Sequence, residues 1–381
     1  MSYRVPFNRP FFAGGEQRHI AEAIRRGQVS GSGHFTRLCE KLLEEALAAP
    51  RVILTTSCTS ALELAALLLE IEPGDEIILP SFTFVSTANA FVLRGARPAF
   101  VDVRGDTLNL DEDLLESRIT ERTRAIVPVH YGGVACEMDR ICAIARAHGV
   151  RVIEDNAHGL FGKYRGRPLG SFGHLAAQSF HETKNFTCGE GGALVIQDPA
   201  LTERAEILRD KGTDRAKFFR GQVEKYTWVD YGSSFALSEL LAAFLYAQLT
   251  ERERIQERRR RIWEKYASAL SEWARENDVQ LPQVPSECEQ SYHLSYLLLP
   301  SEEARDGLID HLKAKGILAV FHYQPLHLSV MGQRYGYTMG DCPVTEDLSK
   351  RLVRLPFFND LSEADQDSVI SEVIAYKRLH G

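Results

Sequence analysis

Residues 150–196, VRVIEDNAHGLFGKYRGRPLGSFGHLAAQSFHETKNFTCGEGGALVI, decide how the chain reads. Three short apolar runs in this region, VRVIED at 150–155, LAAQSF at 175–180 and GGALVIQ at 191–197, read as strands buried on both faces. Asp155 ends the first run and Lys184 lies just past the second. Most lysines and aspartates are solvated surface charges, so either residue alone carries no argument. Here both sit in apolar, glycine-punctuated segments, where an unpaired charge is costly.

Working outward, four more strand candidates precede these: RVILTT at 51–56, EIILPS at 76–81, RPAFVDV at 97–103 and RAIVPVHY at 124–131. Helical stretches alternate with the first five candidates, among them ALELAALLLE, STANAFVLRG and EMDRICAIARAHG. The alternation predicts an α/β fold with a mainly parallel seven-stranded sheet and helices on both faces. No long helix separates the last three runs, which points to an antiparallel strand among them. In such sheets ligands bind beyond the carboxyl ends of the strands. A long helical segment is expected over residues 237–274. Its stretch ERERIQERRRRIWEKY carries Glu251, Glu253 and Glu257 ahead of the arginines and reads as a solvated, ion-paired face. Beyond Pro282, SYHLSYLLL and LAVFHYQPL read as short β-runs on either side of the helix EEARDGLIDHLKAKG. The division expected is a large domain over residues 1–250 and a smaller α+β C-terminal domain over 251–381.

The composition is that of ordinary soluble globular material, long enough for one large domain and a smaller one. The formal charge is 45 − 52 = −7, and 44% of residues are hydrophobic. A mildly acidic balance leaves no electrostatic footprint for nucleic acid, so no nucleic-acid partner is expected. No apolar stretch approaches the ~20 residues of a membrane span, and MSYRVPFNRPFF lacks the apolar core of a signal peptide. Seven cysteines without CxxC spacing read as reduced thiols in a cytoplasmic protein with no metal site.

Lysine and aspartate at strand ends are what pyridoxal 5′-phosphate (PLP) requires. The amine condenses with the cofactor aldehyde, and the carboxylate keeps the pyridine nitrogen protonated so that the ring accepts electrons. The other candidates each allow two readings. Thr59 and Ser60, in the run SCTSAL after a strand, either cap a helix or bind phosphate at its start. Phe84 either stacks on the pyridine ring or fills the core. His158 either donates to the cofactor's phenolic oxygen or is a satisfied core histidine. Ser179 either reaches the phosphate or bonds to the backbone. Their order along the chain favours the cofactor: phosphate loop, aromatic, aspartate with trailing histidine, serine, lysine, each just after a strand.

The set SCTSAL, PSFTFVSTANA, EDNAHG and SFHETKN resembles the nucleotide-sugar aminotransferases of the DegT/StrS type over nearly the whole chain, from VPFNRP to RLPFFNDLS. The resemblance implies the aspartate-aminotransferase-like fold, PLP-dependent fold type I. It makes Lys184 the Schiff-base lysine and proton shuttle, and Asp155 the partner of the pyridinium. His158 would meet the phenolic oxygen, Phe84 the ring, and Thr59, Ser60 and Ser179 the phosphate. The family implies a homodimer with shared active sites, in which an asparagine crosses to the neighbour's phosphate. Ser234 stands at that position here, and Cys58 replaces the usual phosphate-loop glycine. The longer stretches IVPVHYGGVACEMD and FFRGQVEKYTW are most similar to the branch that aminates dTDP-4-keto-6-deoxyglucose at C4 to dTDP-4-amino-4,6-dideoxygalactose, with glutamate as donor. Lys211, Arg215, Arg220, His322 and Tyr323 are the candidates for holding that nucleotide sugar. A sugar 3-dehydratase of the same fold carries histidine in place of Lys184, and regulators on this fold lose the lysine or add a DNA-binding domain. An aminotransferase of cyclitols or amino-benzoate precursors is the remaining alternative.

Overall fold

The structure, a computed structural model, describes residues 3–376. Seven strands form the central sheet: β1 (Arg51–Thr55), β2 (Glu76–Pro80), β3 (Arg97–Val101), β4 (Thr123–Ile126), β5 (Arg151–Asp155), β6 (Leu175–Ser179) and β7 (Gly192–Ile196). Their spatial order is β1-β7-β6-β5-β4-β2-β3. Every residue of β2 and β7 is buried, which explains why these strands read as continuous apolar runs rather than alternating ones. The antiparallel strand expected from sequence is β7, paired with β6 on one side and β1 on the other. A parallel return needs a crossover, usually a helix, whereas residues 180–191 form only a hydrogen-bonded turn. That turn is closed by Phe180 N–H to Gly191 O (2.8 Å) and Glu182 N–H to Gly189 O (2.8 Å). Lys184 rides on it.

Register then gathers the site. Gly192 pairs with both Thr55 and Ser179, so the ends of β1 and β6 meet at one edge. A β-carbon on Gly192 would lie 2.3 Å from the Ser57 carbonyl carbon and 2.4 Å from the Cys58 nitrogen. Only glycine lets the loop after β1 pack so close to β7. The helix that follows, α1 (Cys58–Leu68), starts at an N-cap Ser57 whose hydroxyl accepts from the Ser60 N–H at 3.0 Å.

The helical segment expected over 237–274 is two helices, α2 (Glu239–Thr250) and α3 (Arg252–Glu276), broken at Glu251. Most of the basic run is solvated as expected: Arg260 and Arg261 pair with Glu257, and Arg254 with Glu251. Arg259 departs from that reading and is buried. On the inner face of α3, Ile262, Tyr266 and Leu270 pack in a core with Leu297, Leu308, Val353 and Val369, and Val5 from the N-terminal segment joins them. Only Tyr296–Leu298 of SYHLSYLLL is a strand, paired antiparallel with Leu352–Arg354. The run LAVFHYQPL forms no strand and contributes a single bridge from Val320 to Arg354. These pairings span three residues and one, too short for a period-2 pattern to register. No helix among the described residues is long and apolar enough to cross a membrane, and no group of three or more potential ligands there could hold a metal ion.

Candidate active site

A cleft of about 500 Å³ opens at the carboxyl edge of the sheet. Asp155, only 5% exposed, forms its floor. The Thr87 hydroxyl donates to Asp155 Oδ2 at 2.7 Å, and the Ala157 N–H to Oδ1 at 3.2 Å. No lysine, arginine or histidine lies within ion-pair distance of this carboxylate among the described residues. Lys184, half-buried, lines the same cleft, and no carboxylate pairs with its amine. Burial lowers the Lys184 pKa; the nearby Cys58 and Asp155 oppose the shift, and Arg354 adds to it. The net effect favours the neutral, nucleophilic amine.

The loop after β1 brings Ser57, Cys58 and Thr59 to one end of the cleft, together with Ser179 from the tip of β6. Thr59 Oγ1 is fixed by Ser86 Oγ at 2.8 Å. The N–H groups of Cys58 and Thr59, at the helix start, donate to nothing among the described residues. Ser60 does not line the cleft: its N–H donates to Ser57 Oγ, and its hydroxyl contacts the hydroxyls of Ser57 and Thr56. Phe84 is no core residue: it lines the cleft and is 57% exposed.

Three imidazoles form another wall. The His158 and His293 rings stack with centroids 4.1 Å apart, and His322 lies 6.3 Å from His158. His158 Nδ1 is buried without a partner. Asn185 donates to Ser291 O at 2.7 Å, so its Oδ1 accepts from His293 Nδ1–H at 2.9 Å. Tyr131 OH meets His322 Nδ1 at 2.9 Å. Burial, reinforced by Lys184 and Arg354, holds all three histidines well below the usual imidazole pKa and therefore neutral.

The sequence matches a known family. The model of the DegT/DnrJ/EryC1/StrS aminotransferase family matches residues 13–374. The chain belongs to this aminotransferase family. It is 33% identical to the spore coat polysaccharide biosynthesis protein SpsC of Bacillus subtilis, over 97% of this chain and 96% of that protein. Among solved structures, the aminotransferase TlmJ from Streptoalloteichus hindustanus has a TM-score of 0.90 at 31% identity, covering 97% of this chain and 98% of TlmJ. The PLP-form of the putative sugar aminotransferase Spr1654 from Streptococcus pneumoniae also has a TM-score of 0.90, at 27% identity and 98% coverage of both chains; its PMP-form matches equally. This aminotransferase is accordingly PLP-dependent, with the fold type I architecture.

The cleft of the aminotransferase fits that cofactor on its own chemistry. Asp155 lacks a cation, the Lys184 amine lacks an anion, the helix start offers unspent N–H groups, and His158 Nδ1 lacks a partner. Of the residues singled out from sequence, Lys184, Asp155, His158, Thr59, Phe84, Ser179, His322 and Tyr323 line the cleft. Ser60 stands one step behind it. Ser234 is exposed and bridges to Asp210, outside the cleft. Lys211, Arg215 and Arg220 also lie outside it: Lys211 pairs with Asp210 and Arg220 with Glu206, while Arg215 and Arg220 border a separate concavity. Sequence reasoning missed Thr87, His293, Asn185 and Arg354. Arg354 was the most findable, as a lone charge in the apolar run LVRLPFF.

Proposed function

We propose that this chain transfers the amino group of glutamate to C4 of dTDP-4-keto-6-deoxyglucose, giving dTDP-4-amino-4,6-dideoxygalactose for a bacterial surface polysaccharide. The observation that carries the aminotransferase chemistry is an unpaired Lys184 amine and an uncompensated Asp155 carboxylate lining one cleft. Bound PLP supplies an aldehyde that carries the amino group and a ring that takes up electron density from the donor's α-carbon. In this reading Lys184 Nζ first holds the cofactor. Once freed, it takes the proton from the donor's α-carbon and later delivers one at the former sugar C4 ketone. Asp155, oriented by Thr87 and the Ala157 N–H, keeps a positive charge fixed at the ring nitrogen. The helix start, Thr59 and Ser179, with Ser60 behind them, hold the phosphate. Phe84 covers the ring, and neutral His158 donates to the phenolic oxygen.

The choice of sugar rests on the stretches SFHETKN and FFRGQVEKYTW, and the role of SpsC in polysaccharide synthesis points the same way. The working unit in this reading is a homodimer, each subunit having a large domain over 1–250 and a smaller one over 251–381. Lys211, Arg215, Arg220 and Ser234, which lie outside their own chain's cleft, then act on the neighbour's site, while His322 and Tyr323 face the sugar from within. A panel of dTDP-, UDP- and GDP-linked 4-keto-6-deoxyhexoses with glutamate, followed by NMR of the product, tests the assignment. The expected product carries an axial C4 amine and forms best from the dTDP sugar. An equatorial amine, or turnover of UDP or GDP sugars alone, defeats it.

A further inference from the structure

We infer that His293, tethered by Asn185, is a positioning residue whose ring sets the plane of His158, so that His158 meets the cofactor's phenolic oxygen with its edge. The inference rests on the assignment of His158 to that oxygen above. The backbone of His158 is pinned, since its carbonyl accepts from the Ser291 hydroxyl, but its ring is not. His158 Nδ1 is buried without a partner, and nothing among the described residues bonds the other ring nitrogen. A buried imidazole ordinarily has its tautomer and orientation set by a hydrogen bond at one nitrogen. Here only packing can set the orientation. Three rings surround His158: His293 nearly parallel, at 23° with centroids 4.1 Å apart, Tyr131 edge-on at 6.0 Å, and His322 at 6.3 Å. Only His293 is close enough to lie face to face in contact with it.

His293, unlike His158, is tied down at its ring. Asn185 Nδ2 donates to Ser291 O at 2.7 Å, a carbonyl that can only accept. Asn185 Oδ1 therefore faces His293 Nδ1 at 2.9 Å, and that nitrogen must carry the proton. The His293 carbonyl accepts from Arg259 at 2.6 Å, which fixes the backbone as well. Asn185 directly follows Lys184, so the turn that carries the lysine also holds a ring against His158. His293 lines the cleft too, but its proton is spent on Asn185 and it has none to donate to a ligand. That leaves it a role through His158. Burial keeps both rings neutral, so His293 acts on its neighbour by its plane and not by its charge.

The test titrates with pH the visible absorbance of the cofactor held on Lys184, in the wild type, His158→Phe, His293→Ala and His293→Phe. A donor at the phenolic oxygen stabilises its negative charge and so eases loss of the proton shared between that oxygen and the Lys184 nitrogen. Removing the donor in His158→Phe should raise the chromophore's pKa by about one unit. His293→Ala keeps His158 but removes the plane facing it, and should give most of that rise. His293→Phe restores a flat ring without a nitrogen and should return the value most of the way to that of the wild type. Lys184, Arg354, Tyr131 and His322 face His158 in every variant, so a shift reports the placement of His158 and not a changed field. A His293→Ala titration that coincides with the wild type overturns the inference. So do equal shifts in His293→Ala and His293→Phe, which would make the bond to Asn185 the source. In the wild type, 15N NMR should show a neutral His293 with its proton on Nδ1; the opposite tautomer overturns the tether, and the inference with it, without any variant. A His158→Phe protein that titrates as the wild type does would instead remove His158 from the phenolic oxygen, and the positioning role falls with that reading.

Discussion

A lysine amine that faces no carboxylate, in a cleft that disfavours its charge, is reactive in a way the other lysines are not. Borohydride reduction of the PLP-loaded protein should therefore fix one cofactor on Lys184 and on no other lysine. Peptide mass spectrometry reads the site, and label elsewhere would remove Lys184 from its role. The imidazole wall makes a second prediction, about pH. His158, His293 and His322 are held below the unperturbed value of 6.5, so unfolding lets each take up a proton in mild acid. Because the unfolded state binds more protons, stability is full above about pH 6.5 and falls as pH drops toward the folded pKa values. The limiting slope is about 1.4 kcal/mol per pH unit for each histidine. His19 and His174 are depressed too and act in the same direction, so the diagnostic is a difference. His293→Asn should lose less stability between pH 7.5 and 5.5 than the wild type, in urea titrations; equal losses would contradict the neutral stack. Lys184 and Asp155 were legible in the sequence because each ends an apolar run. Thr87 and His293 were not, because their meaning lies in contacts such as Thr87 with Asp155 and Asn185 with His293 that only the folded chain creates.

The residues after the long helix clamp together the turns that carry His158 and Asn185. Ser291 bonds His158 O through its hydroxyl and receives Asn185 Nδ2 on its carbonyl, while its N–H donates to Gly133 O at 3.1 Å. Tyr292 holds a left-handed φ of 56°, a conformation a tyrosine adopts only under constraint. The constraint is Arg259 from α3, which donates to Tyr292 O (2.8 Å), His293 O (2.6 Å) and Asn359 Oδ1 (3.0 Å), with Phe357 against its face. Arg259→Lys keeps the charge but loses the fork, leaving buried acceptors unpaired. It should cost about 2–4 kcal/mol and slow the glutamate half-reaction, measured by denaturant midpoint and single-turnover rate. An unchanged midpoint would mean that the clamp is held by other contacts. The sequence disclosed the helix by its period and acidic partners. It could not single out Arg259 within RRRR, because adjacent arginines differ only in which face of the helix they occupy.

The surface outside the cleft is what a single subunit leaves unexplained. Trp228 is 77% exposed and Phe219 70%, with Tyr226 and Val229 also exposed beside them on the segment that follows β7 and its helix. Large aromatics grouped on one exposed stretch mark an interaction surface more often than free surface. The same stretch carries Arg215, which has no carboxylate partner among the described residues, and leads to the exposed Ser234. Both are side chains assigned above to a neighbour's site. A two-fold contact would bury each such segment against the same surface of the other copy and complete both clefts at once. Sedimentation should therefore show a dimer at assay concentration. Trp228→Asp should shift the protein toward monomer and cut amination of the nucleotide sugar in proportion to the dimer lost, because a charge at the centre of a desolvated contact is strongly disfavoured. Borohydride trapping on Lys184 should persist in that variant, since the lysine and aspartate both lie within one chain. A fully active monomer, or a Trp228→Asp variant that stays dimeric and active, would show that residues 231–235 and the aromatic stretch serve some other purpose than completing a neighbouring site.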